Sequence, residues 1–262
     1  MINIVIALDC EAKPLIARFG LKRQQQHTYP LYTSEHINLI VSGIGKLNAA
    51  TASGYLAGLT REPAAWLNIG IAGHKSHSLG TLYLAHKITN QQSQQNWYPA
   101  FTFKTGIATA SLASFDVPVT EYADELLHDM EAAGFYQATC RFNSAEFIHC
   151  LKIVSDNAEH STQKINKQMV SKLIHGQLTP IETFISTLNN QLERWNDITA
   201  TPKIYNDILQ RWHFSTYQQY HLKQLVKRWT TLNPQKMLSI EELASLKNSH
   251  RVLIHLQDAL DI

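Results

Sequence analysis

The sequence predicts an α/β fold: a three-layer α/β/α sandwich with a central mixed sheet, followed by an all-helical C-terminal extension. In the first two thirds of the 262 residues, short apolar runs of strand length alternate with stretches of helical spacing. Such alternation is typical of a parallel or mixed sheet covered by helices. In the last third, helical stretches follow one another without a strand between them. We therefore expect an α/β domain over residues 1–195 and a helical extension over residues 196–262.

Continuous apolar runs mark the strands expected at the centre of the sheet. They cover residues 2–8, 36–42 and 65–71. Runs of this kind are typical of strands that are buried on both faces. Two further strands are expected at residues 82–88 and 147–155. Together these segments supply the sheet that the alternation requires.

Helical spacing falls between these strands, at residues 11–19, 47–59 and 130–140. A helix that packs on a sheet buries one apolar face. In the second of these helices, the residues predicted to share that face are Leu47, Ala50, Leu56 and Leu59.

Capping signals mark three helix starts in the last third of the chain. Thr179, Ser215 and Ser239 are each followed, three residues later, by a Glu or a Gln. This spacing is typical of a capping box at a helix N-terminus. The first of these helices should pack on the sheet through a stripe formed by Ile181, Phe184, Ile185, Leu188, Leu192 and Trp195.

The composition restricts the class of function. Charged residues make up 17% of the chain and the formal net charge is +2, so the footprint of a dedicated nucleic-acid binder is missing. The three cysteines are odd in number and lack metal-ligand spacing, which favours a reduced intracellular setting. No apolar run approaches the ~20 residues of a membrane span. We expect a cytoplasmic protein without a membrane partner, and nucleic acid is a disfavoured partner.

Five short motifs occur along the chain, and their order matters for the resemblance described below. They read ALDCE at 7–11, SGIGKLNAA at 42–50, NIGIAG at 68–73, DMEAAG at 129–134 and VSDNAE at 154–159. In this order they resemble the purine nucleoside phosphorylase superfamily. Within it, the chain is most similar to the branch of methylthioadenosine/S-adenosylhomocysteine nucleosidases.

The resemblance covers roughly the predicted α/β domain and implies an activity. That activity is cleavage of the N-glycosidic bond of a purine nucleoside or thionucleoside, with no metal and no cofactor. It also implies a homo-oligomer, with a dimer favoured. Cleavage of this bond passes through a sugar with positive charge and a base that leaves with extra electron density. The protein must therefore supply an acid for the base, a nucleophile under the sugar and groups that hold the sugar hydroxyls.

The resemblance assigns these roles to particular residues. Asp156, preceded by Ser155, would protonate the purine at N7. Glu131 would hold the ribose 2′- and 3′-hydroxyls, and Met130 would line the sugar. Glu11 would polarise the attacking water. Ser155 is included among the residues that contact the substrate.

Three further residues are expected to form the wall of the pocket. Ala72 and Gly73 belong to a strand end that lines the pocket in the resembled family. Phe115 is a candidate for the aromatic face against which a purine stacks, although a core position is at least as good an interpretation. The resemblance also places Lys152 where an arginine is familiar, and a lysine cannot make the fork-like contact of a guanidinium.

Plainer interpretations of the acidic residues remain open at this point. Asp156 could be the N-cap of a helix that follows its strand. Glu131 could be a first-turn acid favoured by the helix dipole. Asp129 is assigned to a cap. His74 and His77 lie three residues apart without a third ligand in view, so no metal site is expected there.

Glu11 distinguishes between hydrolysis and phosphorolysis. At this place the phosphorylases of the superfamily carry Gly-Asp-Pro with a nearby Arg, and they commonly have Arg and Ser in the strand end that corresponds to residues 68–73. This chain has Glu11 in the first motif and the apolar Ile71 in the third. Hydrolysis is therefore preferred, and phosphate-dependent cleavage is the alternative. A second alternative is a non-catalytic nucleoside-binding protein that acts through its helical tail, but a binder has no use for Glu11.

Overall fold

The computed structural model describes residues 1–60, 63–160 and 165–260. Two compact units divide the chain at residues 194 and 195, Met1–Arg194 and Trp195–Ile262. The first contains the sheet and the second contains helices only in its described part. Whether the tail from residue 196 onward is a separate domain stays a prediction.

The first unit alternates strands and helices, as its sequence predicts. The strands are β1 (Ile2–Ile6), β2 (Lys22–Arg23), β3 (Leu31–Thr33), β4 (Ile37–Val41), β5 (Ala65–Gly73), β6 (Leu82–Asn90), β7 (Asn96–Trp97), β8 (Thr109–Ser114), β9 (Leu127–Asp129) and β10 (Ile148–Asp156). The helices that begin in this unit are α1 (Asp9–Arg18), α2 (Lys46–Leu59), α3 (Ala132–Thr139), α4 (Lys167–Gly176) and α5 (Leu178–Thr199).

The ten strands form one mixed sheet that closes on itself in part. Its order is β10-β6-β8-β9-β5-β1-β4-β3-β2, and β7 pairs with β6. Because β10 also pairs with β5, the first five strands of this order form a closed barrel, and the other four extend from it. The mixed sheet with helices is confirmed. The middle layer differs from the open sheet of a three-layer sandwich. The long strand β5 pairs with β1, β9 and β10, and β10 pairs with both β5 and β6, which closes the barrel.

Helices pack on two apolar cores that share no residue. One core joins Ile4 of β1 and Leu67 of β5 to α1, α4 and α5, and the other joins Val5 and Trp66 to α2 and α3. Neighbouring residues on one strand thus serve opposite faces, as the alternation of side chains along a strand requires. Both faces of the sheet are therefore covered by helices.

The predicted buried face of α2 is wrong except at Leu56. Leu47 is 76% exposed and Leu59 is 45% exposed. The buried residues are Ala49, Ala52, Ser53 and Leu56. Three of these four residues are small because α3 packs closely here: a Cβ on its Gly134 would collide with the backbone of Lys46. Close helix approach, rather than side-chain size, decides which face of α2 is buried.

The stripe on α5 is confirmed except at its end. Ile181, Phe184, Ile185, Leu188 and Leu192 are buried in the same core as β1 and β5, whereas Trp195 is 44% exposed. The helix begins at Leu178 rather than at the predicted cap Thr179, directly after the end of α4.

The second unit has its own apolar core. Its helices are α6 (Ile204–Arg211), α7 (Thr216–Leu232), α8 (Ile240–Leu243) and α9 (Ser249–Asp258). The capping box at Ser215 is confirmed, and the Ser239 hydroxyl accepts a hydrogen bond from the backbone N–H of Glu242. Helix α7 buries four apolar residues in this core, Leu222, Leu225, Val226 and Trp229. None of the helices within the described ranges has both the length and the apolar character needed to cross a bilayer.

Candidate active site

A cavity of about 240 Å³ lies in the first unit. The carboxyl ends of the parallel strands β1, β5 and β10 contribute to its wall, which is where ligands bind in sheets of this kind. Seven of the eight candidate residues from the sequence line this cavity: Glu11, Ala72, Gly73, Met130, Glu131, Ser155 and Asp156. Residues that are up to 145 positions apart therefore meet at one place, between Glu11 and Asp156.

Glu11 is held rigidly in the first turn of α1. Its side chain is buried, and its two oxygens accept hydrogen bonds of 2.9 Å from the backbone N–H groups of Leu8 and Ile71. Burial raises the pKa of this carboxyl, and the hydrogen bond from Ile71 and the charge of Lys152 oppose that rise. Each carboxylate oxygen keeps a further lone pair. Glu11 is thus a carboxyl of increased basicity, fixed at the edge of the cavity.

Glu131 stands at the start of α3 and is tied to the loop before α2. Its Oε1 accepts a hydrogen bond of 2.8 Å from the backbone N–H of Gly45. Gly45 has a φ of +106°, a conformation that residues with a side chain rarely adopt. The glycine in this motif therefore allows the backbone to present its N–H to Glu131. Burial, followed by the negative charge of Asp129, raises the pKa of Glu131 to about 7.

Lys152 and Asp129 form a buried ion pair beside these two acids. The Lys152 ammonium lies 2.8 Å from Oδ2 of Asp129, and both side chains are 1% exposed or less. Burial opposes the charged form of Lys152, but Asp129 and Glu131 outweigh it and raise its pKa. Asp129 also accepts a hydrogen bond from the backbone N–H of Ala132, the first residue of α3, although the N-cap position itself is occupied by Glu131. The pair holds a positive charge among three carboxyl groups.

Asp156 is the last residue of β10 and is not a helix cap. Residues 157–160, directly after it, are not helical. The next helix among the described residues is α4, which begins at Lys167 and has Asn166 as its N-cap. Asp156 itself is buried, and its two oxygens accept hydrogen bonds from different hydroxyls, those of Ser155 and Tyr122. The plainer interpretation of Asp156 as an N-cap is therefore wrong.

Phe115 does not belong to the wall of the cavity, so its assignment as the stacking face is wrong. Its ring packs on the ring of His128, with 4.9 Å between the centroids. His128 and Tyr122 line the cavity instead. Phe115 follows β8 and is only partly buried, so the alternative interpretation of Phe115 as a core residue is not confirmed either.

Sequence reasoning missed two residues of this site, Tyr122 and His128. It also missed the role of Lys152 in the buried ion pair. Tyr122 and His128 fall outside the five motifs, so no pattern singled them out. The only signal for His128 was its place directly before the acidic motif at 129–134. Lys152 is a charged residue inside an otherwise apolar strand, and a buried lysine demands a paired carboxylate. That signal could have been used.

His74 and His77 form a stack rather than an isolated exposed loop. Their rings are 3.6 Å apart between centroids, and His77 stacks in turn on Tyr83. Nδ1 of His74 accepts hydrogen bonds from the backbone N–H groups of Ser76 and His77. Across residues 1–60, 63–160 and 165–260, no group of three or more His, Cys, Asp or Glu side chains is placed to hold a metal ion.

Solved structures that align with most of this chain include two nucleosidases and a futalosine hydrolase. The methylthioadenosine/S-adenosylhomocysteine nucleosidase of S. pneumoniae aligns with 70% of this chain and 97% of its own, at 18% identity and a TM-score of 0.59. The 5′-methylthioadenosine nucleosidase of Arabidopsis thaliana aligns with 72% of this chain and 95% of its own, at 17% identity and a TM-score of 0.62. The futalosine hydrolase of Helicobacter pylori aligns with 71% of this chain and 97% of its own, at 16% identity and a TM-score of 0.58.

These alignments confirm, at the level of the fold, the resemblance that the motifs indicate. Identities of this size establish a shared fold and nothing finer. No protein-family model matches the chain, and no curated protein matches its sequence.

Proposed function

We propose that this protein hydrolyses the N-glycosidic bond of a purine nucleoside, with a 5′-thionucleoside such as methylthioadenosine as the first candidate substrate. One observation carries the proposal. Glu11, Glu131 and Asp156 lie on the wall of one cavity in a fold shared with nucleosidases. Three acidic groups of this kind match the three tasks of the reaction.

Glu131 would hold the sugar and Glu11 would activate water. In its ionised form Glu131 accepts the protons of two hydroxyls, which orients the ribose and stabilises positive charge at its anomeric carbon. Glu11, whose pKa is raised by burial, is a stronger base than an ordinary carboxylate and can take a proton from the attacking water. Its anchoring by Leu8 and Ile71 keeps it in place during the reaction.

Asp156 would donate a proton to the leaving base. A base that leaves as a neutral molecule is a much better leaving group than its anion, and a positioned acid typically contributes ~10²–10⁴-fold in rate. Bond cleavage then gives the free base, and water adds to the sugar at the anomeric carbon. One proton moves from water to Glu11 and one moves from Asp156 to the base, so the charges balance.

Hydrolysis is favoured over phosphorolysis by the charge of the site. Three carboxyl groups and one ammonium surround this part of the cavity, and the ammonium is already paired with Asp129. A phosphate dianion would have to approach Glu11 next to the apolar Ile71, without an arginine or serine in the strand end at residues 68–73. Like charges at short distance repel strongly inside a protein.

The test is product analysis with a panel of nucleosides. Methylthioadenosine, S-adenosylhomocysteine, adenosine and inosine are incubated with the protein, with and without phosphate, and free base, free sugar and sugar 1-phosphate are measured. The proposal expects free base and free sugar in both conditions. A sugar 1-phosphate that forms only with phosphate would favour phosphorolysis, and no release from any nucleoside would favour a binding protein.

Matched variants connect the activity to the cavity. Glu11→Gln removes the proposed base, whereas Glu182→Gln changes an acid on α5 that pairs with Arg18 at the surface. We expect Glu11→Gln to lose most of the turnover and Glu182→Gln to keep it. Equal turnover in the two variants would contradict the role of Glu11.

A further inference from the structure

The space over Gly73 lies between Asp156 and His128. In the sheet, Gly73 of β5 is paired with Asp156 of β10 on one side and with His128 of β9 on the other. Two strand spacings therefore separate Asp156 from His128, about 10 Å between their Cα atoms. Because Gly73 has no side chain, the space between them is open to another group.

Tyr122 fills this space. A Cβ on Gly73 would collide with the Tyr122 hydroxyl, which donates a hydrogen bond to Oδ2 of Asp156. The Tyr122 ring lies 5.2 Å from the ring of His128, between centroids. The remaining cavity of about 240 Å³ is smaller than the ~300–1,000 Å³ of ordinary ligand pockets. A base that contacts Asp156 must therefore displace Tyr122.

Tyr122 belongs to a cover segment, residues 116–126, that is held by contacts near its ends. Asp116 pairs with Lys46 at 2.7 Å, and Glu125 accepts a hydrogen bond from the Ser76 hydroxyl at 2.7 Å. Both acidic side chains are more than 40% exposed, and pairs at such positions are weak. These two contacts therefore oppose movement of the segment only weakly when a ligand competes for Asp156.

His128 carries an unused hydrogen-bond acceptor in this wall. Its Nε2 lies 2.7 Å from Oδ1 of Asp124. A carboxylate only accepts, so Nε2 carries the proton and Nδ1 of the neutral ring has its lone pair. That Nδ1 is buried and has no hydrogen-bond partner among the described residues, and the side chain is only 6% exposed. A buried acceptor without a partner is costly, and a ligand N–H would satisfy it.

We propose that His128 is a specificity-determining residue for the base that enters the space over Gly73, and that its Nδ1 accepts an N–H of that base. The proposal deepens the proposed function, because it assumes a heteroaromatic base at Asp156. An aminopurine carries a ring nitrogen and an exocyclic amino group on one edge. The ring nitrogen meets Asp156 and the amino group meets His128. Tyr122 holds the place of the base until the substrate enters.

The experiment compares two free bases, adenine and unsubstituted purine, which differ only by the amino group. Their affinities for the full chain are measured by calorimetry, which requires no turnover. Loss of one hydrogen bond to a buried acceptor corresponds to about tenfold in affinity. We therefore expect wild type to bind adenine about tenfold more tightly than purine.

Three variants locate the effect. His128→Gln places its amide near the position of Nε2, keeps a donor for Asp124 and removes the acceptor at Nδ1, so the preference for adenine should disappear. His128→Asn places an amide oxygen near Nδ1 and should keep most of the preference, which also shows that the wall survives substitution. Tyr122→Phe removes the hydroxyl that competes for Asp156, so both bases should bind more tightly with an unchanged ratio.

The outcomes separate this inference from the proposed function. Equal affinity of wild type for the two bases, including no measurable binding of either, would overturn the role of His128, as would an undiminished preference in His128→Gln. Weaker binding of both bases by Tyr122→Phe would overturn the displacement of Tyr122. A preference for adenine in a protein that cleaves no nucleoside would leave this inference intact and refute the hydrolase.

Discussion

The two ends of the cavity are constructed in different ways. At the sugar end, Glu11 and Glu131 accept hydrogen bonds from backbone N–H groups and lie beside the buried pair of Lys152 and Asp129. At the base end, Asp156 is bonded to two hydroxyls, one of which comes from the cover segment. Backbone anchors do not move without unfolding of local structure, whereas a hydroxyl can be displaced. The difference indicates that the sugar end is fixed before substrate binds, whereas the base end rearranges when a base enters.

The largest expected effect is at the base end, from Asp156→Asn. An amide can occupy the same place but cannot deliver a proton as an acid, so kcat should fall by ~10²–10⁴-fold with little change in substrate binding. Single-turnover rates and equilibrium binding separate the two quantities. Unchanged kcat would remove Asp156 from the chemistry and leave the base end with a role in binding only.

At the sugar end, Lys152→Met is expected to lower the stability of the fold. This change leaves three buried carboxyl groups without their cation, and loss of one partner of a buried ion pair costs about 3–5 kcal/mol. Urea unfolding measures the loss. The double variant Asp129→Leu with Lys152→Met removes both charges and should recover most of it. A single variant as stable as wild type would show that the sugar end does not depend on this pair.

A smaller effect is expected from pH, through Glu131. Its pKa is raised to about 7 by burial and by Asp129, so it is ionised above this pH and protonated below it. Only the ionised form accepts both sugar hydroxyls. The ionised fraction falls about tenfold for each pH unit below the pKa, and kcat/KM for a riboside should fall in the same direction. A nucleoside without the two hydroxyls is the control, and the same fall with that substrate would contradict the role of Glu131.

The smallest effect on activity is expected from removal of the helical unit after Thr199, where α5 ends. The described residues that line the cavity all belong to the first unit. Among the described residues, the apolar core of the tail shares none with the two cores around the sheet. Residues 1–199 should therefore fold and keep nucleosidase turnover. Circular dichroism, light scattering and the activity assay check this. Loss of folding would show that the tail belongs to the same folding unit as both ends of the cavity.

The sequence predicts the sugar end better than the base end, because the residues of the sugar end and their anchors stand in recognisable motifs, whereas Tyr122 and His128 do not. Glu11 and Glu131 stand in the first and fourth motifs, and Gly45, which binds Glu131, stands in the second. Tyr122 and His128 reach the site only through the pairing of β9 and β10 with β5. Such register depends on contacts across the whole sheet. No local pattern could place Tyr122 on Asp156.

The fold likewise divides into features that leave a local sequence pattern and features that do not. Apolar runs predict the strands β1, β4, β5 and β10 and the stripe on α5, because burial on both faces or on one stripe leaves a local pattern. The closure of the barrel does not leave one, since it depends on β10 pairing with both β5 and β6. The face of α2 was misjudged for a related reason: the close approach of Gly134 favours small residues over large ones there.

The most direct test of the account is the origin of the oxygen on the released sugar. Methylthioadenosine, or the nucleoside of the panel that is cleaved fastest, is incubated with the protein in water enriched in a heavy oxygen isotope, with phosphate present. Mass spectrometry of the sugar then reports the nucleophile, with Glu11→Gln as the variant that should slow the reaction. The account predicts a free sugar with heavy oxygen at its anomeric carbon and no sugar 1-phosphate. A sugar that leaves as its 1-phosphate, with no heavy oxygen at that carbon, would contradict it.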